Sequence, residues 1–388
     1  MRKTYLGFVI AALVAALAVQ ATAGSLDIPV RGAGLGFGNS RNFSGLRLNI
    51  RDAGLETIRG VTVSVWAPKP SPLGRLSGLS VGVAGTRATT GEGLTLNLGM
   101  CDFASFNGLA VAGLGAVVGD MGGIGLGGLG FVGDELDGLF AGGLGLAGDD
   151  ITGIGLAGLG LAGDDLTGIY AAGLGLAGDD FTGLGAAGLG LAGDDMTGIY
   201  AAGLGLAGDE MTGIYAAGLG MGGDDMSGVF AAGLGMGGNN MSGVFAAGLG
   251  VGGNDMTGLF AAGLGIGGND LTGVFAAGLG MGGDDLTGLF AGGLGIGGDS
   301  ITGIATTLGG MRADRMTGVQ VAGAYLRTRY AEGLIAGAYN RADRAVTGLQ
   351  IGVFNWTPNL QGVQIGLLNY AGNNPDGLKW LPGINVHF

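Results

Sequence analysis

The sequence is poor in the residues that catalytic and cross-linked proteins commonly use. Its 388 residues include one cysteine, Cys101, one histidine, His387, and seven prolines. A single cysteine excludes an internal disulfide framework, so we expect Cys101 to be a small buried or half-buried residue. One histidine leaves a Ser-His-Asp triad without a plausible base, and zinc finds no Cys/His cluster. We therefore expect a protein that is not an enzyme and that has no cofactor, with Ca²⁺ as the one candidate ion considered below.

Basic residues are missing from a long central part of the chain. No Lys or Arg occurs between Arg87 and Arg312, whereas most of the 30 acidic residues lie there, and the net charge is −13. Nucleic-acid binding is dominated by neutralisation of phosphates, so this charge argues against a nucleic-acid partner. The same charge is compatible with solubility outside the cell and with association of cations.

The N-terminus predicts a cleaved secretory signal peptide at residues 1–23. Arg2 and Lys3 precede an apolar stretch over residues 5–19, and Ala21-Thr22-Ala23 has the small-x-small pattern of a cleavage site. A membrane anchor is the alternative, but the apolar run is short for a spanning helix, which needs about 20 residues. We expect the protein to be exported.

Glycine accounts for 95 residues and recurs at a spacing of fifteen from Gly78 to Gly348 without interruption. A fixed short period indicates a tandem repeat. Collagen is excluded because there is no Gly-X-Y triplet, and disorder fits poorly because aliphatic residues recur at fixed positions. Repeat proteins usually present extended surfaces rather than one catalytic pocket, which favours a structural or interaction role.

One repeat, residues 196–210, divides into three five-residue segments with glycine third in each. Several glycines per repeat would cost a helix about 1 kcal/mol each, so short β segments with glycine corners are favoured. In a β-solenoid each repeat is one turn, and equivalent residues of successive turns stack about 4.8 Å apart. We expect Met196, Ala201, Leu204 and Leu206 to point inward.

A closed outer-membrane-type β-barrel is the alternative all-β fold. Apolar and polar residues alternate over residues 46–49, and this alternation suits either fold. The constant repeat length and the five-residue glycine spacing favour the solenoid. The alternation of Ile384, Val386 and Phe388 instead resembles the last strand of a membrane barrel. The fold class predicted is therefore an all-β solenoid of tandem 15-residue repeats, with the barrel as alternative.

Composition divides the chain into six predicted segments. They are the signal peptide at 1–23, an N-terminal cap segment at 24–44, N-terminal repeats with basic residues at 45–119, acidic glycine-rich repeats at 120–311, C-terminal repeats at 312–374, and a C-terminal cap strand at 375–388.

Stacking turns sequence positions into columns, and one column is acidic. Each acidic pair follows glycine, which is turn chemistry, and Asn239-Asn240 shows that amides replace the carboxylates. Paired carboxylates could also hold Ca²⁺, although the nonapeptide calcium-solenoid pattern is absent. The weak candidate calcium ligands are Asp149, Asp150, Asp164, Asp165, Asp179, Asp180, Asp194, Asp195, Asp209, Glu210, Asp224 and Asp225.

A second column is aromatic and contains Phe140, Tyr170, Tyr200, Tyr215, Phe230, Phe245, Phe260, Phe275 and Phe290. Packing inside the fold is the first interpretation, and an exposed contact stripe for membrane, glycan or partner is the alternative. The neighbouring aliphatic residue, Ile169 or Val229, competes for the same interior. We expect at least one of the two columns to face outward.

The closing repeats read Thr-Gly-Leu-Gln-Ile-Gly-Val-Phe-Asn-Trp at residues 347–356 and Gln-Gly-Val-Gln-Ile-Gly-Leu-Leu-Asn-Tyr at residues 361–370. They resemble the bacterial, leptospiral-type family of surface-repeat proteins, whose units of about fifteen residues read Gly-Leu/Val-Gln-Ile-Gly-Leu-x-Asn. The resemblance covers essentially the whole mature chain and is strongest after Gly318, whereas the central repeats lack the Gln and Asn. That family offers no catalytic residues to transfer.

The resemblance implies an exported protein at the outer membrane or cell surface of a Gram-negative bacterium, with an envelope or surface partner that the sequence does not identify. The predicted function is thus that of a non-catalytic surface repeat protein with a structural or interaction role. The alternative function is an outer-membrane barrel of the pore type.

Overall fold

The computed structural model describes residues 24–30 and 33–388, and all regular elements in these ranges are β-strands. They form about 23 parallel turns of a β-solenoid. The chain divides into two compact units, residues 1–193 and 194–388. The predicted signal peptide lies outside the described residues.

The described part of the N-terminal unit begins with two antiparallel strands and continues with parallel strands. Its strands are β1 (Ser25–Val30), β2 (Ala33–Gly38), β3 (Asn42–Asn49), β4 (Thr57–Ser64), β5 (Arg75–Gly82), β6 (Gly85–Asn97), β7 (Met100–Ala112), β8 (Gly115–Gly127), β9 (Gly130–Gly142), β10 (Gly145–Ala157), β11 (Gly160–Ala162), β12 (Asp165–Ala172), β13 (Gly175–Ala177), β14 (Asp180–Ala187) and β15 (Gly190–Ala192).

The C-terminal unit has the same parallel stacking and ends with an antiparallel pair, β31 and β32. Its strands are β16 (Asp195–Ala202), β17 (Gly205–Ala207), β18 (Glu210–Ala217), β19 (Gly220–Ala232), β20 (Gly235–Ala247), β21 (Gly250–Ala262), β22 (Gly265–Gly267), β23 (Asp270–Ala277), β24 (Gly280–Gly282), β25 (Asp285–Gly292), β26 (Gly295–Gly297), β27 (Ser300–Thr307), β28 (Gly310–Arg312), β29 (Arg315–Ile351), β30 (Phe354–Thr357), β31 (Leu360–Ala371) and β32 (Trp380–His387).

The register between successive turns follows the fifteen-residue glycine period. Strand β18 pairs in parallel with β19, so that Thr212 lies opposite Ser227 and Gly213 opposite Gly228. In the central turns each residue therefore stacks on the residue fifteen positions later, and the solenoid prediction is confirmed. The barrel alternative is wrong, because membrane barrels are built from antiparallel strands, whereas the glycine corners here return the chain to a parallel position.

Glycine at one corner of each turn is required by the backbone. Gly213 has a φ of 137°, and a Cβ atom there would lie 2.0 Å from the carbonyl oxygen of Gly198 in the preceding turn. Neither the dihedral angle nor the space accepts a side chain. This close approach explains why glycine recurs at this position without exception from Gly78 to Gly348.

The core of a central turn differs in part from the predicted one. Met196 and Leu206 are buried as expected, but Ala201 and Leu204 are exposed, so their predicted inward orientation is wrong. Tyr200 and Ala202 occupy the interior instead. Because side chains alternate along a strand, an inward Tyr200 places Ala201 outward, and Leu204 lies at a corner.

The aromatic column forms a buried stack in the C-terminal unit. Ring centroids of Tyr215 and Phe230, of Phe230 and Phe245, and of Phe245 and Phe260 are 4.7–4.8 Å apart with interplanar angles of 1–2°. This distance is the spacing of neighbouring strands, so each turn contributes one ring to the stack. The interpretation of this column as internal packing is confirmed.

Turns towards the N-terminus have a polar interior that the sequence did not reveal. Arg47 is fully buried, forms an ion pair with Asp52, and donates from Nε to the hydroxyl of Thr62 at 3.0 Å. The amide of Asn49 also donates to Asp52 at 2.7 Å. The buried charges are thus paired and hydrogen-bonded, which is the condition for burying them at moderate cost.

Turns towards the C-terminus bury amides in ladders. Asn340 donates to Asn355 and Asn355 donates to Asn369, each at 2.7 Å between Nδ2 and Oδ1. Gln364 donates to Gln350 at 2.6 Å in a parallel ladder. The Gln and Asn that carry the resemblance are therefore internal, where each side-chain amide forms a hydrogen bond with the equivalent residue of a neighbouring turn.

Candidate interaction faces

Each central turn has three outward faces separated by its glycine corners. We define them by residues of the turn 211–225 that lie outside the core. The acidic face carries Asp225 and Thr212, the aliphatic face carries Ile214, Ala216 and the corner residue Leu219, and the small-residue face carries only Gly220 and Gly222. Because the register is constant, each face repeats from turn to turn as a set of straight columns.

The acidic face brings together the predicted acidic pairs within each unit. All twelve candidate calcium ligands are exposed. In the N-terminal unit Asp150 lies opposite Asp165, and Asp165 opposite Asp180. Partial desolvation, followed by the negative charge of Asp165, raises the pKa of Asp150 above its usual value. Desolvation and the charges of Asp255 and Asp285 do the same to the pKa of Asp270.

Asparagine interrupts the acidic column and bonds to it. The side-chain amide of Asn239 donates to Asp224 at 2.9 Å, and that of Asn240 donates to Asp225 at 2.5 Å. An amide in the column therefore replaces repulsion between like charges by a charge-assisted hydrogen bond.

No three acidic, histidine or cysteine side chains in the described part of the chain converge as a metal-binding group. The carboxylates form an open line in which each one faces solvent. Calcium sites at the twelve residues stay a prediction, and the geometry would make them shared between turns rather than enclosed.

The aliphatic face is continuous within each unit. In the C-terminal unit the column from Ile199 to Ile304 and the corner column from Leu204 to Leu308 are exposed, with Ile199 at 50% and Leu204 at 46% of their full accessibility. The expectation that the aliphatic or the aromatic column faces outward is confirmed, and it is the aliphatic one. A contiguous apolar surface of this extent on a protein marks a contact site.

The aliphatic face persists where the interior is polar. In β3, Leu46 and Leu48 are about 40% exposed while Arg47 and Asn49 are buried. Near the C-terminus Ile351 and Ile365 face outward beside the buried Gln350 and Gln364. Outward aliphatic residues in these turns are therefore not displaced from a crowded apolar core.

The single cysteine, Cys101, and the single histidine, His387, both form contacts within the fold. Cys101 is buried as predicted, and burial raises the pKa of its thiol to about 11 despite a hydrogen bond from Asn97 at 2.8 Å. The thiol is thus kept in its unreactive form near neutral pH. His387 contacts the Asn374 side chain at 2.7 Å near the end of β32.

Comparison with known proteins adds no relative: no family model, no curated protein and no solved structure matches the chain. In the described residues no helix is long and apolar enough to cross a membrane. The repeated β-solenoid, with its separate acidic and aliphatic faces, fits a structural or interaction role.

Proposed function

We propose that this chain is an exported bacterial surface repeat protein whose role is structural or interactive and not catalytic. The observation that carries the proposal is the aliphatic face, whose outward residues are exposed or half-buried along the turns of both units. An uncovered apolar face of this kind needs a partner, because leaving apolar area in water costs about 25 cal/mol per Å².

The place proposed is the outer membrane or cell surface of a Gram-negative bacterium. The signal-peptide pattern of residues 1–23 supports export, and the resemblance of the closing repeats to leptospiral-type surface-repeat proteins supports the surface. The acidic face would then face solvent, where carboxylates stay hydrated and cations can collect along the column.

Cell fractionation combined with proteolysis of intact cells tests this proposal. We expect the mature chain, cut after Ala23, in the envelope fraction and accessible to protease added outside. A variant that lacks residues 2–23 is the matched control and should stay in the cytoplasm. Recovery of the uncut chain from the cytoplasm of normal cells, identified by its intact N-terminus in mass spectrometry, would contradict the proposal.

A further inference from the structure

The aliphatic face of the C-terminal unit has the relief of a groove between two ridges. An open groove runs along several turns and is lined by Ala246, Ala261 and Ala276, together with the corner glycines Gly248, Gly263 and Gly278. On one side stands the column of Val244, and on the other the corner column of Leu249, both more than 40% exposed.

The projected area of this face is at the lower end of the range for specific protein interfaces, which bury about 600–1,000 Å² on each partner. The ridge column stacks in register over eight turns, from Ile199 to Ile304. The strands are about 4.8 Å apart, and the face is five residues wide at about 3.3 Å per residue. The aliphatic face over these eight turns therefore covers roughly 600 Å² in projection. Its side-chain relief adds to that area, and a standard interface buries about 800 Å² on each partner.

The chemistry of the face excludes an electrostatic partner. Between residues 194 and 311 the chain has no Lys or Arg, and its acidic residues belong to the column on a different face. Surface-bound membrane proteins usually combine an apolar face with basic residues that attract anionic lipid. Residues 194–311 offer only acidic charges beside this aliphatic face, so an anionic bilayer is a poor occupant of it.

We propose that the aliphatic face is a self-association interface and that its occupant is the same face of a second copy. A second copy has the same spacing between turns, so that its ridge matches the groove along the whole length. A two-fold axis parallel to the columns, midway between the Leu ridge and the Ala groove, places the Leu ridge of each copy in the groove of the other. This arrangement is isologous and closed, which makes the assembly a dimer.

Self-association would be one form of the interaction role proposed above. It rests on that proposed function only because both use the aliphatic face. Localisation and self-association are measured separately, because a chain found in the cytoplasm could still form the dimer, and an exported chain could be monomeric.

Sedimentation velocity on the purified full chain, from about 1 to 100 µM, tests the interface. The groove variant combines Ala246→Arg, Ala261→Arg and Ala276→Arg. The matched control places the same three charges on the acidic face of the same turns, as Ser242→Arg, Thr257→Arg and Thr272→Arg. We expect the original chain and the control to sediment as dimers, and the groove variant to dissociate at least tenfold more readily.

A second variant covers the case in which the arginines prevent folding, judged by circular dichroism. It replaces ridge residues instead, as Leu249→Ser, Leu264→Ser and Leu279→Ser, and should also weaken the dimer. A monomeric original chain at 100 µM, or dimers that neither set weakens, would overturn the proposal. Flotation of a monomeric chain with phosphatidylcholine vesicles, lost in the groove variant, would overturn it in favour of a lipid surface.

Discussion

Two glycines of one turn, Gly267 and Gly273, differ in what a side chain would meet. A Cβ atom on Gly267 would have no atom within 4 Å, and the equivalent position of another turn holds Ala207. At Gly273, φ is 133° and a Cβ atom would lie 2.1 Å from the carbonyl oxygen of Gly258. The two residues look alike in sequence, yet only the second is fixed by the backbone.

We expect Gly273→Ala to destabilise the chain by at least about 2 kcal/mol, because it adds both a strained dihedral angle and a clash with the neighbouring turn. Gly267→Ala is the matched control and should change the free energy of unfolding by less than about 1 kcal/mol, because alanine fits there and makes the unfolded chain less flexible. Urea denaturation of both variants measures the difference. Equal losses would show that the corner does not constrain residue 273.

The neighbouring residues Val244 and Phe245 show how one element divides its side chains between core and surface. Phe245 is buried between the rings of Phe230 and Phe260, whereas Val244 is 41% exposed on the aliphatic face. Both are apolar and both recur every fifteen residues. Their sequence pattern therefore predicts two columns but does not say which of them lies inside.

We expect Phe245→Ala to cost about 3–5 kcal/mol, because it removes a ring from the middle of the stack and leaves a cavity. Val244→Ala shortens the side chain at the adjacent, outward position and should cost less than about 1 kcal/mol. Thermal or urea unfolding at a concentration where both variants have the same association state gives the comparison. A larger loss for Val244→Ala would place the core on the wrong side of the strand.

At the scale of the whole molecule, the acidic columns link stability to pH. The pKa of Asp270 is raised in the folded chain, so its contribution to stability is complete below the unfolded value of about 3.9 and is lost as pH rises through the folded value. Asp376 is the opposite case, because a hydrogen bond from Lys379 lowers its pKa. Its contribution is present at neutral pH and is lost on acidification.

We expect Asp270→Asn to raise the unfolding midpoint at pH 7 and to have little effect at pH 3, where the carboxyl group is already neutral. Asp376→Asn should instead lower the midpoint at pH 7, with an effect that shrinks as the pH falls through the lowered pKa of Asp376. Thermal unfolding of both variants and of the original chain at the two pH values tests the signs. The acidic column would not be repulsive if Asp270→Asn lowered the midpoint at pH 7.

The same columns give the calcium prediction its test. Carboxylates of neighbouring turns face each other along the strand pairing, and a divalent cation can bridge them where a monovalent one only screens them. We expect millimolar Ca²⁺ to raise the unfolding midpoint more than Na⁺ at the same ionic strength. Equal shifts from the two salts would indicate screening without calcium sites.

The sequence by itself determined the repeat, the all-β class and the glycine corners of this protein. A fifteen-residue period with glycine in every fifth position admits few backbone paths, since only glycine accepts the positive φ and the close approach at Gly213. The burial of Cys101 and the acidic column at the turns were also predictable, because a short apolar thiol and paired carboxylates have strong preferences for core and surface.

Only the tertiary structure decided which way each column faces. Ile199 and Tyr200 are adjacent and both largely apolar. Because side chains alternate along a strand, one of the two must face the core and the other the solvent, but the alternation does not say which. Tyr200 is buried and its ring stacks on that of Tyr215 with centroids 5.3 Å apart, whereas Ile199 is 50% exposed. The burial of Arg47 was likewise not predictable from the sequence, because its partner Asp52 comes into contact with it only in the folded turn.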